Sequence, residues 1–406
     1  MCRIIAGELE QGTHSFLTVF RFCRLNARAG LVAMIIATFN VENLFARAKA
    51  LKPSMDADTT SKTLAAHAEI NDLFNKPTYD ETTKQRILEL LDQLGLLESD
   101  ESDLVRLRII RGKLLTRHKD KTVDIVASGR ADWIGFVELR TEAVDDLAMD
   151  HTAMVMRDLK ADVLGVVEAE SRPTLEMFST AVLDAVPGGK PYERCMLVEG
   201  NDDRGIDVGL LWRESFELKD IRTHVFDRDS NGEIFSRDCC EYHLQAPSGS
   251  TLLVLMNHFK SKGYSTPADP GGGKKRTRQA KRVADIYHSL IDEGFDQIAV
   301  LGDLNDTPDS KPLNSLVAKT DLQDISTHQD FDWQGRHGTY GGSNTDKIDY
   351  VLLSPALFRR AVKGGVFRKG VWRGPRTKNP WPIYDTLTAK VHEASDHAAV
   401  WAELDL

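Results

Sequence analysis

The chain has no run of about 18 consecutive apolar residues, which excludes a membrane-spanning helix on length. It is also poor in cysteine, with only Cys2, Cys23, Cys195, Cys239 and Cys240 among 406 residues. These lack paired metal-ligand spacing, and neighbours such as Cys239 and Cys240 cannot easily bridge each other, so no disulfide framework emerges. Unpaired thiols fit a reducing, cytoplasmic setting better than a secreted one. An excess of positive charge is missing too. The 52 Lys and Arg against 61 Asp and Glu leave −9, so nucleic-acid binding by overall charge is disfavoured and only a local basic patch could serve it. No internal repeat or long low-complexity tract occurs. What is present, 41% hydrophobic and 28% charged residues with 29 Gly and 14 Pro, is an ordinary globular composition, long enough for one large domain or two.

The first 33 residues hold one short apolar piece, Phe16–Phe20, in Arg-rich, Cys-bearing sequence with no clear small-residue cleavage site after it. Strand-like sequence starts at Ile35, directly after Met34. Residues 1–33 are therefore expected to be a non-native or flexible extension with Met34 as the natural start, a weak targeting segment being the alternative. Residues 34–406 are expected to form the folded domain.

From Ile35 onward, short β-branched runs alternate with helical stretches, which favours an α/β architecture. Strands are expected at Ile35–Phe39, Val163–Val167, Ile206–Trp212, Thr251–Met256, Gln297–Leu301, Ile348–Leu353 and Ala398–Leu404. The rhythm breaks between Arg47 and Asp150, where the patterns read as mainly helical. Ile87, Leu88, Leu91 and Leu94 share one stripe, and Leu104, Leu107, Leu114 and Leu115 suggest a second helix. Val144, Leu147, Ala148, Val155 and Leu159 suggest a third, packed on the sheet. The stretch from about 78 to 119 is read as an inserted helical hairpin.

Short polar clusters stand at or beside the strand ends: Asn40-Val-Glu42, Glu168-Ala-Glu170, Asn257-His258, Gly302-Asp-Leu-Asn-Asp306, Asp349, and Ser395-Asp-His397. Strand ends are where layered α/β proteins commonly build their sites. Carboxylate and amide oxygens are hard ligands that suit Mg²⁺, with Mn²⁺ as the alternative, which leaves the two histidines free to hydrogen-bond an anion. Such a cation can activate water and neutralise charge on a phosphoryl group. Any one cluster alone is an ordinary strand end or turn; their order and shared context carry the signal.

Those motifs, in that order, resemble the endonuclease/exonuclease/phosphatase superfamily, and the resemblance covers essentially all of 35–406 apart from the insertion. Phe39-Asn-Val-Glu-Asn-Leu-Phe45 and Asn257-His-Phe-Lys-Ser-Lys-Gly263 are most similar to bacterial nuclease-type members. The resemblance implies a four-layer α/β sandwich, two central sheets with helices outside, and a Mg²⁺-dependent phosphoesterase. It further implies Glu168 as principal metal ligand, with Asn40 and Glu42 in the metal and phosphate shell, although the family often has Asp at the second position. Asp396 would help hold the metal. Asp303 would activate or orient the attacking water and Asn305 would hydrogen-bond the phosphate. His397, oriented by Asp349, would contact the phosphate, and His258 stands where nuclease-like members also use histidine. An abasic-site endonuclease would carry tyrosine near there, so that activity is less favoured.

Three further features bear on the substrate. Arg204, before the Ile206 strand, either faces the phosphate or decorates a hairpin rim. Lys274, Lys275, Arg276 and Arg278 open a helix after a Gly/Pro loop. Such a start can hold a phosphate backbone, and basic charge is otherwise unfavourable at a helix N-terminus. Arg368–Trp381 interleaves Trp372 and Trp381 with cations, which suits stacking on bases or simple packing of a long loop. Glu170 reads as a solvent-facing side chain, or else as a spare carboxylate of the metal shell. The leading expectation is a metal-dependent phosphodiesterase acting on nucleic acid, DNA first. The alternatives are a phosphatase or phospholipase C-like enzyme on a small or lipid phosphate, and a non-catalytic phosphate-binding scaffold. No protein partner is indicated.

Overall fold

The structure, a computed structural model, describes residues 33–51, 55–202, 204–263, 267–374 and 381–406. The expectation for residues 1–33 therefore lies almost wholly outside the described residues. Chain order opens with β1 (Ala33–Asn40) and the short β2 (Ala46–Ala48), followed by helices α1 (Ala57–Phe74) and α2 (Glu81–Gln93). Four strands come next: β3 (Val105–Arg111), β4 (Leu115–Arg117), β5 (Val123–Ile125) and β6 (Ile134–Leu139). β7 (Thr141–Ala143) pairs back onto β2, and α3 (Asp146–Leu159) leads into β8 (Val163–Ala169). Then follow α4 (Arg172–Met177), β9 (Arg194–Val198), β10 (Asp207–Trp212) and β11 (Glu217–Arg222). A minor ribbon, β12 (Arg228–Asp229) with β13 (Gly232–Glu233), precedes β14 (Cys240–Gln245), β15 (Thr251–His258) and α5 (Gly273–Asp292). The last strands are β16 (Ile298–Asp303), β17 (Gln323–Asp324), β18 (Phe331–Asp332), β19 (Asp349–Leu353), β20 (Ala361–Phe367) and β21 (Ala399–Asp405).

Two mixed sheets result, ordered β18-β20-β21-β1-β8-β10-β9 and β11-β14-β15-β16-β19-β17. Period-two alternation gives each sheet two apolar faces. Ile36, Val163, Leu210 and Val400 of one sheet meet Leu252, Val254, Met256, Leu301 and Val351 of the other in a single buried core. The intervening positions point outward. Ala37, Phe39, Leu164 and Val166 pack against Ala153, Met156 and Leu159 of α3. Leu253, Leu255, Ile298 and Val300 pack against Val283, Ile286, Tyr287 and Leu290 of α5. The architecture is thus the four-layer α/β sandwich. No helix among the described residues is long and apolar enough to cross a membrane, and Cys195, Cys239 and Cys240 are unpaired.

The insertion differs from its expected form. It begins earlier, with α1 from Ala57, and its second half is β-structure rather than a second helix. Val105 and Leu107 are buried around half-exposed Arg106, an alternation of period two, and Gly112 turns the chain at φ +76° before a helix could form. The segment has its own core of Leu64, Ile70, Phe74, Ile87, Leu91, Val105, Trp133 and Val137. Trp133 meets Phe74 edge-to-face at 4.8 Å and donates to the Tyr79 hydroxyl at 3.0 Å. Asn71 pairs with β6 as a strand would, donating to the Val137 carbonyl at 2.9 Å and accepting from its N–H at 2.8 Å.

One residue governs how the strands end together. β16 runs parallel to β15 with Asn257 opposite Gly302 and His258 opposite Asp303. Gly302 adopts φ +130°, and a Cβ there would stand 1.8 Å from the Asn257 carbonyl oxygen. Gly302→Ala is expected to destabilise the fold by about 3 kcal/mol, combining backbone strain with overpacking against a rigid carbonyl. A denaturant melt within about 0.5 kcal/mol of wild type would show that the crossing tolerates a side chain.

Candidate active site

Six strand ends deliver their polar groups to one edge of the sandwich. β1 ends in Asn40, β8 carries Glu168, β15 ends in His258 and β16 in Asp303, while β19 starts at Asp349 and His397 stands two residues before β21. The Asn40 amide links the two sheets, donating to Asp303 Oδ2 at 3.3 Å and lying 3.4 Å from His397 Nε2. Asp303 also accepts from the Asn305 backbone N–H at 2.8 Å and from its side-chain amide at 3.1 Å. His397 Nδ1 lies 2.9 Å from Asp349 Oδ2, which turns Nε2 toward Asp303. Asp349 is itself set by Thr339, whose hydroxyl accepts from the Ile348 and Asp349 N–H groups at 3.0 and 3.1 Å.

The backbone is under tension at this edge. Of the seven described non-glycine residues with positive φ, four lie here: Glu42 (51°), Asn43 (70°), Glu168 (69°) and Asn305 (54°). Such conformations persist where the surrounding structure holds them, and they gather at functional sites.

Two buried histidines are pushed in opposite directions by their surroundings. Burial opposes the His397 cation, yet the charge and hydrogen bond of Asp349, with Asp303 and Asp396 beyond, hold it well above its ordinary value. His258 is held well below by burial and then by the Arg237 and Arg204 guanidinium charges. His258 Nε2 lies 3.7 Å from both Glu168 Oε1 and Asp303 Oδ2, and its Nδ1 has no partner among the described residues. Burial pushes Asp303 up to about 7 against the pull of His397. A carboxylate so poised can exchange a proton with water near neutrality.

The acidic cluster suits a hard divalent cation. Asp303, Asp349 and His397 place ligand atoms within 4.8 Å of one another. Asp349 and His397 are, however, engaged with each other. Glu42, Glu168 and Asp396 line the same cleft and add further carboxylate oxygens. Burial, followed by the charges of Asp396, Glu393 and Glu168, raises Glu42 well above the usual carboxylate range, with Arg47 at 3.2 Å as a partial offset. Carboxylates that repel one another in a cleft gain from a shared dication.

The cleft has a volume of about 610 Å³ and is lined by Glu42, Glu168, His258, Asp303, Asn305, Asp396 and His397. Arg204 is also brought to it. Its guanidinium is pinned by Asp202 at 3.0 and 3.1 Å, and fully buried Arg237 holds the same carboxylate at 2.9 Å. A second cavity of about 620 Å³, beside β9 and β11, holds Arg172, Arg194 and Cys195 but no facing carboxylate–histidine pair.

Four expected substrate contacts go to the scaffold instead. Arg276 is buried, bonded to Asp306 at 3.0 Å and to the Lys260 and Gly271 carbonyls. Arg278 grips Asp229 through two bonds of 2.6 Å. Lys274 and Lys275 donate their ammonium groups to the Ala268 and Glu233 carbonyls. The helix start that could have held a phosphate is already filled, because Asp269 accepts both their backbone N–H groups at 2.9 Å. Arg368 is likewise buried on the carbonyls of Trp333, Arg336 and Gly338, and Trp381 is buried with it; 375–380 lie outside the described residues.

Two assignments change in detail. The Asn305 amide donates to Asp303 and to the Phe259 carbonyl at 3.1 Å each, so its N–H groups orient Asp303 rather than await a phosphate. Glu170 neither faces solvent nor joins the acidic cluster. Its Oε1 accepts from the N–H groups of Leu44, Phe45 and Ala46 at 3.1, 2.8 and 3.0 Å, clamping the chain where it enters the insertion. Sequence reasoning missed Tyr340, whose ring lies 5.0 Å from that of His397 and lines the cleft. The signal was an aromatic in the glycine-rich turn Gly338–Gly342, shortly before Asp349. It also missed Met55, Thr60, Ser61 and Leu64 of the insertion, Lys262 and Lys390, which line the cleft too.

A sequence profile described as the Endonuclease/Exonuclease/phosphatase family matches residues 121–333, just over half of the chain. No curated protein matches the sequence. Similar solved structures include an endonuclease/exonuclease/phosphatase family protein of Bacteroides thetaiotaomicron, at 19% identity and TM-score 0.47, covering 64% of this chain and 86% of that one. A mannosyl-6-phosphatase of the same organism matches at 18% identity and TM-score 0.46, covering 64% and 92%. Truncated TDP2 of Caenorhabditis elegans matches at 15% identity and TM-score 0.43, covering 64% and 92%.

A cation seated among the carboxylates can be read without any substrate. Mg²⁺ at about 100 times its dissociation constant is expected to stabilise the protein by about 2.7 kcal/mol in thermal unfolding. Glu168→Gln combined with Asp396→Asn is expected to abolish that gain. A full Mg²⁺ shift in the double variant would place the cation elsewhere.

Proposed function

Because the chain belongs to the endonuclease/exonuclease/phosphatase family, whose members are phosphoester hydrolases, we propose that it is a metal-dependent phosphodiesterase that cuts nucleic acid by attack of water on phosphorus. The observation that carries this reading is the meeting of Asn40, Glu168, His258, Asp303 and His397 in one cleft.

Glu168, Glu42 and Asp396 would hold the cation, Mg²⁺ or Mn²⁺, which supplies charge neutralisation at the phosphate and a more acidic water. Asp303 receives the proton of the attacking water, and the Asn40 and Asn305 amides keep its carboxylate turned to the cleft. His397 donates from Nε2 to a phosphoryl oxygen while Asp349 holds Nδ1. Neutral His258 stands beside Glu168 and Asp303 as a second hydrogen-bonding group for the phosphoryl or departing oxygen. Arg204, immobilised by Asp202, adds positive charge without having to order a flexible side chain.

The burial of Arg276 and Arg368, with Lys274, Lys275 and Arg278 bonded to nearby carbonyls and carboxylates, favours one alternative, a compact phosphoester bound with few backbone contacts. Among the described residues, Arg204, Lys262 and Lys390 are the Lys and Arg side chains at the cleft. Nucleic-acid affinity is therefore expected to fall with a log–log salt slope of only about −2 to −3, the release expected for two or three phosphate contacts.

The reading is tested by hydrolysis of plasmid DNA, single-stranded DNA, RNA and bis(p-nitrophenyl) phosphate, with and without Mg²⁺ or Mn²⁺. Metal-dependent nucleic-acid cleavage is expected, falling about 10²–10⁴-fold in Asp303→Ala. Turnover of the small diester alone would shift the assignment to a small-molecule phosphoesterase. Wild-type rates in Asp303→Ala would remove that residue from the mechanism.

A further inference from the structure

The insertion reaches the reaction centre. Thr60, Ser61 and Leu64 of α1, with Met55 just before it, line the same cleft as Glu168, Asp303 and His397. Thr60 and Ser61 present hydroxyls and Leu64, 5% exposed, presents an apolar edge. This wall is held firmly. Asn71 locks α1 to β6 through both backbone groups of Val137, and Glu69 of α1 takes two bonds from Arg86 of α2 at 2.7 and 2.8 Å. Glu170, two residues beyond Glu168, clamps residues 44–46 at the insertion's base. The strand that carries the expected metal ligand thus also fixes where the insertion starts.

Tyr340 lines the cleft from a different part of the chain. The residue is 41% exposed, its ring packs on that of His397, and a backbone bridge ties the two together. A half-exposed aromatic ring beside the phosphate-contacting histidine offers a stacking face for a base. The volume of about 610 Å³ lies within the roughly 300–1,000 Å³ typical of sites for one small ligand. It suits a nucleotide unit rather than a length of stacked helix.

We propose that α1 of the insertion makes this cleft a slot for one unstacked nucleotide beside the scissile phosphate, so that single-stranded nucleic acid is the preferred substrate. This rests on the nucleic-acid reading above. A duplex must unpair and unstack a nucleotide before it enters such a slot, a penalty that a single strand largely escapes. The hydroxyls of Thr60 and Ser61 would meet the sugar and phosphate edges of the unit, and Leu64 and Tyr340 its apolar faces.

The test compares kcat/KM for a single-stranded 20-mer, the same strand in a blunt duplex, and bis(p-nitrophenyl) phosphate. Wild type is expected to prefer the single strand over the duplex by at least about 10-fold. Ser61→Trp, which fills the slot, is expected to lower the ratio of 20-mer to small diester by at least about 10-fold, chiefly through KM. Lys62→Trp puts the same bulk on the same helix at a position that does not line the cleft, and should leave the ratio within about twofold. If Ser61→Trp fails to fold, Thr60→Ala with Ser61→Ala carries the test, with an expected loss of about fivefold for two missing hydrogen bonds. Equal cleavage of duplex and single strand, or a Ser61→Trp ratio equal to that of Lys62→Trp, would overturn the slot while leaving the nuclease reading intact. Turnover of the small diester with neither nucleic acid cut would instead overturn the nuclease reading, and the slot with it.

Discussion

The close pass of β16 beside β15 at Gly302 and Asn257 is the constraint on which the cleft depends. Parallel strands keep their neighbours in register, so the pairing of Asn257 with Gly302 places His258 opposite Asp303 one residue later. The antiparallel neighbour β19 sets Asp349 against the same Asp303. Three charged or ionisable groups are thereby assembled by backbone hydrogen bonding alone, before any side chain has chosen a rotamer. The second sheet then adds Asn40 and Glu168, and the Asn40–Asp303 bond is where the two halves of the site meet.

Equal burial does not give equal chemistry. His258 and His397 are both almost wholly buried, yet the first is held below the ordinary imidazole range and the second above it. The difference is what stands behind each ring. Asp349 faces His397 at 2.9 Å, whereas the Arg204–Asp202–Arg237 group near His258 carries an excess guanidinium charge. Desolvation disfavours the cation at both sites, and the neighbouring charge decides whether it survives. The surroundings thus favour the protonated form of one imidazole and the neutral form of the other.

The scaffold takes up several of the cations that the described residues carry near the strand connections. Arg276 and Arg278 bind Asp306 and Asp229, and Arg368 binds loop carbonyls. Buried guanidinium groups with several acceptors are well suited to holding irregular loops, because one side chain satisfies carbonyls that no ladder reaches. The consequence is a cleft with little positive charge of its own. The insertion has a separate core, is braced at Asn71 and Glu170, and lines the same cleft with Thr60, Ser61 and Leu64 of α1.

Much of the molecule was legible in the chain. Alternation and β-branched runs located β1, β8, β10, β15, β16, β19 and β21 but not β9, β11, β14, β17, β18 or β20 of the two large sheets. The strand-end groups Asn40, Glu168, His258, Asp303, Asp349 and His397 could be picked out by residue type and order. Those features are local, or repeat with the period of the backbone, so a linear reading captures them. Three things were decided only in three dimensions. The segment holding Val105, Arg106 and Leu107 became a ribbon because Trp133 and Val137, about 30 residues further along the chain, help supply its core and its partner strand. The basic run at 274–278 became scaffold because Asp229, Asp269 and Asp306 lie beside it in space. Glu170 became a clamp because the chain at 44–46 turns its N–H groups toward β8. Residue type and spacing determined which chemistry the chain could perform; the long-range pairing of charges and hydrogen bonds decided which of its polar groups were left free to perform it.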